Sequence, residues 1–335
     1  MENAVRLCLF AALAAALLAG GTAGCKKSSV APTAESAYTP GWDVYFAGQD
    51  SGRAVYWKNG LRTVLGSAGI AQGIAVSGSD VYVGGGVTKA VNSEVINLAA
   101  LWKNGVEEDL TDTSAWAYTP VVSGADVYVP GYIGQWGGQP KAVYWKNGQP
   151  VTLDSTNWAI ATGMAVSGSD VYVLGFVGGA AVDSSVVWKN DQLLAGAYST
   201  FDQPYNQIVV SGGNIYVAEL QGYFENFASQ YMALPHARSA ACLLLNGSDI
   251  YVAGSRVDSA GNVWAAYWKN GVMDTLANYP GTTISGAWAI VLAGSDVYVA
   301  GDAVVNGVLW GVFWKNGAEA APSRNGAIYG AAVVK

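Results

Sequence analysis

A single histidine and three cysteines in 335 residues, with charged side chains at only 12%, set the first limits on this chain. His236 alone cannot build a histidine-rich metal centre, and no second imidazole or thiolate is at hand to complete a zinc shell, so neither a metal nor another cofactor is expected. Cys8 and Cys25 lie near the N-terminus, which leaves Cys242, in the apolar run Ala240 to Leu245, as a core thiol with no intrachain partner; a disulfide-stapled fold is excluded. Basic residues are sparse and unclustered. Seventeen Lys and Arg against 24 Asp and Glu give a net charge of −7, which excludes a phosphate-neutralising surface and hence nucleic acid as a partner. Neither a Gly-x-Ser-x-Gly elbow nor an Asp-x-Asp-x-Asp calcium spacing occurs. Long amphipathic runs are also missing, whereas 43 glycines and 51% apolar residues describe short buried strands joined by tight turns.

What the chain has in abundance is repetition. One phrase begins at Asp43, Asp80, Asp126, Asp170, Asn214, Asp249 and Asp296, reading Asp-Val-Tyr-Val or a close variant, seven times in all. A second, Trp-Lys-Asn-Gly or Trp-Lys-Asn-Asp, follows at Trp57, Trp102, Trp145, Trp188, Trp268 and Trp314; the fifth unit has Tyr231 to Leu234 where it is expected. Each unit reads as four strands. An apolar first strand ends in a Ser-Gly-Ser-Asp turn, the Val-Tyr-Val strand follows, then a variable loop, the Tyr-Trp-Lys strand, an Asn-Gly turn of type I′, and a short outer strand. Both Val-Tyr-Val and Ala-Val-Tyr-Trp are apolar on their two faces, so each sheet must be covered on both sides, as when sheets stack around an axis.

The expected fold is therefore all-β, a seven-bladed β-propeller of four-stranded antiparallel blades over residues 42–335. The domain opens on a second strand, Trp42 to Ala47, and ends on Ala327 to Val334, which reads as a first strand; the C-terminal strand should join the N-terminal blade and close the ring. The fifth blade looks short of an outer strand, and the second carries the longest variable loop, about Gly84 to Asn97. The repeat resembles those of β-propeller families in bacterial exported proteins, and Ile208-Val-Val-Ser-Gly-Gly-Asn-Ile-Tyr-Val is loosely similar to NHL-type repeats. That resemblance implies the fold and says little about activity.

The N-terminus reads as an address. Arg6 precedes an apolar run, Leu7 to Ala19, too short for a permanent span. Thr22-Ala23-Gly24-Cys25 resembles a lipobox, with Thr22 where leucine is usual. This divides the chain into a lipoprotein signal peptide at 1–24, a lipidated flexible tether at 25–41 and the propeller, and the expectation is a monomer held in the cell envelope, at the outer membrane, through lipid on Cys25.

Topology sorts the surface. The Ser-Gly-Ser-Asp and Asn-Gly turns share one uniform face, ringed by Lys58, Lys103, Lys146, Lys189, Lys269 and Lys315, and the tether should leave from it; the variable loops share the other face. The repeated Asp80, Asp126, Asp170, Asp249 and Asp296 are turn residues. Trp116, Trp158, Tyr205, Trp288 and Tyr329 lie 8 to 12 residues before the Asp or Asn position or its projected equivalent, with Gln72 in the matching stretch of the second unit; they should meet at the mouth of the central channel on the variable face. Rings beside amides suit sugar faces or extended peptides, so the expected role is a membrane-tethered binding module for a glycan or protein ligand, with no catalytic residue assigned. The alternatives are a polysaccharide lyase or glycosidase using carboxylates such as Asp183, Glu219, Glu225, Asp258 and Asp302, and a purely structural envelope protein.

Overall fold

The computed structural model describes residues 37–91, 93–154, 158–178, 183–198, 207–226 and 230–335. The signal segment, Cys25 and Tyr205 lie outside the described residues.

The chain is all-β, with no α-helix among the described residues. Strands β1 (Asp43–Asp50), β2 (Arg53–Lys58), β3 (Leu61–Ser77), β4 (Asp80–Val91), β5 (Glu94–Lys103) and β6 (Val106–Asp109) follow one another in the first sheet. The long β3 serves two units, since Leu61 to Val64 pairs with β2 and Gly69 to Ser77 pairs with β4. Next come β7 (Ala115–Ala117), β8 (Val121–Ser123), β9 (Asp126–Ile133), β10 (Lys141–Lys146) and β11 (Gln149–Asp154), with β7 and β8 both on β9.

Four four-stranded antiparallel sheets complete the order. They are β12 (Ala159–Ser167), β13 (Asp170–Gly178), β14 (Asp183–Lys189) and β15 (Gln192–Tyr198); β16 (Ile208–Ser211), β17 (Asn214–Glu219), β18 (Gly222–Glu225) and β19 (Gln230–Ala233); β20 (Ala237–Asn246), β21 (Asp249–Val257), β22 (Val263–Lys269) and β23 (Val272–Thr275); β24 (Thr282–Ala293), β25 (Asp296–Val305), β26 (Val308–Lys315) and β27 (Ala318–Arg324). The last strand, β28 (Gly326–Val334), returns to the first sheet and pairs antiparallel with β1, from Asp43↔Val334 to Asp50↔Gly326. The leading strands touch in succession: β28 with β3, β3 with β8, β8 with β12, β12 with β16, β16 with β20, β20 with β24, and β24 with β28.

The repeated tryptophan explains the stacking. Trp57, Trp102, Trp145, Trp268 and Trp314 are at most 1% exposed. Each shares a core cluster with a tyrosine of the unit before it: Trp102 with Tyr45, Trp145 with Tyr82, Trp268 with Tyr223, and Trp314 with Tyr251. Trp57 packs with Tyr298 and Phe313 of the last sheet. At about 150–250 Å² per ring and roughly 25 cal/mol/Å², each contributes on the order of 4–6 kcal/mol before entropy is set against it.

The turn residues act as a set. Asn147 and Gly148 take φ of 50° and 79°, the left-handed pair a type I′ hairpin needs. The Asn147 side chain accepts from Val127 N and donates to Asp126, each at 2.8 Å, and Lys146 reaches the same carboxylate at 2.8 Å while lying over the Tyr128 ring. The arrangement recurs at Asn59, Asn104, Asn190, Asn270 and Asn316, so the two kinds of turn are bonded together at one end of each sheet. The lysine and asparagine beside Asp126, Asp170 and Asp249 hold these carboxyls below the usual carboxylate range.

Two local expectations need correction. The fifth unit has an outer strand, β19; what it has lost is the variable loop, since Leu220 and Gln221 alone join β17 to β18. Its counterpart of Trp-Lys-Asn is Phe224-Glu225-Asn226, not Tyr231 to Leu234, and Asn226 accepts from Ile215 N as its equivalents do. In the second unit the long segment after Gly84 is an extended hairpin, with Lys89↔Ile96 in register, rather than a loop.

Candidate functional site

The leading strands share a defect that builds the site. In β3 the register on β4 skips Gln72, in β12 it skips Thr162, in β20 Ala241, in β24 Trp288, and in β28 Tyr329. These are β-bulges, which leave one residue out of the ladder and re-aim its side chain. In the third unit the break between β7 and β8 puts Tyr118 at the equivalent place. Every one of these residues lies eight positions before its Asp or the projected equivalent.

The partner strand accommodates the bulge with a glycine five positions after each Asp. A Cβ on Gly48, Gly85, Gly131, Gly175, Gly254 or Gly301 would collide with the carbonyl oxygen of Ala327, Ile70, Trp116, Ile160, Ser239 or Gly286, respectively. The fifth unit has Glu219 at that position, 2% exposed; the bulge position of its leading strand, residue 206, lies outside the described residues.

A cavity of about 260 Å³ opens where the bulges converge, lined by Gln72, Tyr118, Thr162, Gln207, Cys242, Trp288 and Tyr329 among others. No charged side chain is among the described residues lining it. The Gln207 carbonyl oxygen accepts from the Cys242 thiol at 2.8 Å and from Leu243 N at 3.3 Å, which fixes that amide at the wall. Burial pushes the Cys242 thiol up to about 12, so it stays protonated. Thr162 is 4% exposed and its hydroxyl is buried without a hydrogen-bond partner. Behind the wall, burial pushes Asp302 up to about 6, with the neighbouring Trp288 indole pulling it partly back.

Of the residues expected at the channel mouth, Gln72, Trp288 and Tyr329 line the cavity. Trp116 and Trp158 turn sideways into a cluster between sheets with Tyr118, Tyr132, Ile160 and Phe176. They stand ten and twelve residues before Asp126 and Asp170, ahead of the bulge, where strand side chains face neighbouring sheets. Trp116 covers Gly86, and Trp158 meets Trp136 edge-on at 5.7 Å between ring centres. Trp136, 37% exposed on the β9–β10 loop, was not singled out from the sequence; glycines on both sides of it were its one signal. Tyr118, Thr162 and Gln207 were also missed, though the fixed eight-residue offset would have found the first two.

Among the described residues, no pair of carboxylates lines the cavity. Asp258 accepts from Ala260 N, Asn262 N, Asn262 Nδ2 and Trp264 Nε1, which hold it well below the usual range and bind it to its own loop. Glu225 accepts from Asn214 and the Tyr216 hydroxyl at the uniform end. Nothing is described of the Asp183 side chain. His236 is exposed in the turn before β20, with φ of 59°. Among the described residues no three His, Cys, Asp or Glu side chains converge on a metal position.

No family model matches the chain, and no curated protein sequence matches it. Among solved structures it is similar to a puromycin-hydrolyzing peptidase of Mycobacterium tuberculosis, at TM-score 0.49 and 11% identity over 89% of this chain and 55% of that one. The Pyrococcus horikoshii acylaminoacyl peptidase matches at TM-score 0.48 and 10% identity, over 85% and 51%. The β-propeller domain of the Trilobed protease from Pyrococcus furiosus matches at 0.36 and 10%, over 76% and 97%. The chain spans about half the length of the two peptidases, and its structural neighbours include β-propeller domains.

Proposed function

We propose that this chain is a seven-bladed propeller, closed by β28 and tethered to the cell envelope through lipid on Cys25, that binds a neutral glycan or peptide at the mouth of its central channel. Closure is supported by the pairing of β28 with β1 and by the contact of each leading strand with the next. The tether is supported by the small-small-Cys ending of the N-terminal apolar run.

One observation carries the binding reading: the bulges of β3, β12, β24 and β28 turn Gln72, Thr162, Trp288 and Tyr329, which share one sequence position, toward a common cavity, and these are aromatic, amide or hydroxyl groups rather than charges. Trp288 and Tyr329 sit on neighbouring leading strands and supply an apolar wall; Gln72 and Gln207 supply hydrogen-bond direction. A volume of about 260 Å³ is just under the ~300–1,000 Å³ of drug-sized sites, and suits one sugar ring or one side chain of a longer ligand. A glycosidase would need two carboxylates about 5–10 Å apart across the ligand, and the described cavity wall offers none. Screening the full chain on glycan and peptide arrays tests the reading: a neutral ligand whose binding Trp288→Ala abolishes supports it, and binding indifferent to Trp288 refutes it.

A further inference from the structure

Leu61, Val106 and Val272 are exposed at 77%, 72% and 72%, the first residue of β3, β6 and β23. Each follows an Asn-Gly turn, so all three stand at hairpin tips on the uniform face. The same position is Ala318 in the last sheet, but Gln149 and Gln192 in the third and fourth units. In chain order around the stack, Val272, Ala318, Leu61 and Val106 are consecutive. The apolar tips thus form one arc and the amide tips lie across from it.

The N-terminal segment arrives at the middle of that arc. Thr39 donates to Asp296 at 2.7 Å, the Tyr298 hydroxyl donates to Ala37 O at 3.2 Å, and the Tyr38 ring rests against Gly60, the turn glycine next to Leu61. Twelve residues separate Ala37 from Cys25, a reach of about 40 Å at most. The lysines beside the tips are neutralised locally, Lys58 by Asp43, Lys103 by Asp80 and Lys269 by Asp249, at 2.7, 2.9 and 2.7 Å. Lys89 holds Glu107 and Asp109 at 2.8 and 2.6 Å. The arc therefore offers apolar side chains with paired charges around them, which fits a zwitterionic lipid surface better than an anionic one.

We propose that Leu61, Val106 and Val272 rest in the headgroup region of the membrane that holds the anchor, so that the disc leans on this edge and lifts the third and fourth units away from the lipid. The proposal builds on the anchored reading of Cys25. A cluster of apolar tips centred on a leash of twelve residues is placed against the bilayer by the leash itself.

The test uses the full chain, expressed with its leader and reconstituted in phosphatidylcholine vesicles containing brominated lipid. An environment-sensitive fluorophore is attached through Leu61→Cys, Val106→Cys or Val272→Cys, with Gln149→Cys, Gln192→Cys and Leu193→Cys as positions across the ring; Leu193 is itself 63% exposed, so it controls for apolarity alone. Acylation of Cys25 is read by mass spectrometry on the same samples. Several-fold quenching at 61, 106 and 272, with little at 149, 192 and 193, is the expected result. Acylated, vesicle-bound protein with equal quenching at all six positions overturns the arc and keeps the anchor. Vesicle-bound protein with the expected pattern but no acyl group keeps the arc and overturns the anchor, and protein neither acylated nor bound overturns both.

Discussion

Thr39 and Asp296 are 257 residues apart in sequence and joined by a 2.7 Å hydrogen bond, which fastens the chain's entry to its last sheet. Trp42 adds to the same junction by lying under the Lys335 ammonium, 5.9 Å from ring centre to nitrogen. Strand β28 then supplies the pairing edge of β1.

Removing residues 327–335 should therefore do more than delete one strand. It bares the edge of β1 and the apolar sides that Ile328 and its neighbours cover, with Ile328 itself 0% exposed. The expected outcome is aggregation on purification or a fall in melting temperature of more than about 10 °C, read by calorimetry with size-exclusion chromatography. Cooperative melting of the truncated chain at the parent temperature would mean that β28 does not hold the array together.

Gly85→Ala tests the bulge. The new methyl would collide with the Ile70 carbonyl, and two paired backbones cannot part without breaking the ladder. A loss of about 1–3 kcal/mol is expected in urea denaturation. Gly137→Ala is the comparison, because a Cβ there meets nothing within 4 Å; it should stay within about 0.5 kcal/mol of the parent.

How much of this was readable beforehand divides at the bulge. The strands, the Asn-led turns and the Trp packing follow from local rules that six of the seven units obey, so the copies reinforce one reading. The fifth unit escaped because Phe224 and Glu225 replaced the Trp and Lys that mark the phrase, although Asn226 kept its bond to the backbone. The site was half legible: Gln72, Trp288 and Tyr329 line the cavity, but the breaks in strand alternation at Gln72, Thr162 and Trp288 re-aim those side chains against the ordinary period of two. Trp116 and Trp158, a few residues earlier, obey the ordinary alternation and pack between sheets.

Asp302 gives the account a pH signature. Its carboxyl is raised to about 6 in the folded chain from the ordinary 3.8, so ionisation is easier in the unfolded chain. The stability it lends is full below about pH 4 and is lost as pH rises through about 6. Asp302→Asn should raise stability at pH 7.5 by about 1–3 kcal/mol, with little change at pH 4. Equal effects at the two pH values would show that the side chain does not titrate in this range.

Calorimetric titration of the tightest neutral ligand found on the arrays, against the parent chain and four single variants, tests the central claim most directly. Gln72→Ala and Trp288→Ala should each weaken binding by about tenfold or more with melting temperature within a few degrees of the parent. Trp116→Ala and Trp158→Ala should lower the melting temperature and leave Kd within about twofold. The opposite pattern, in which Trp116 and Trp158 govern Kd while Gln72 and Trp288 are indifferent, would contradict a binding site at the bulge-lined channel.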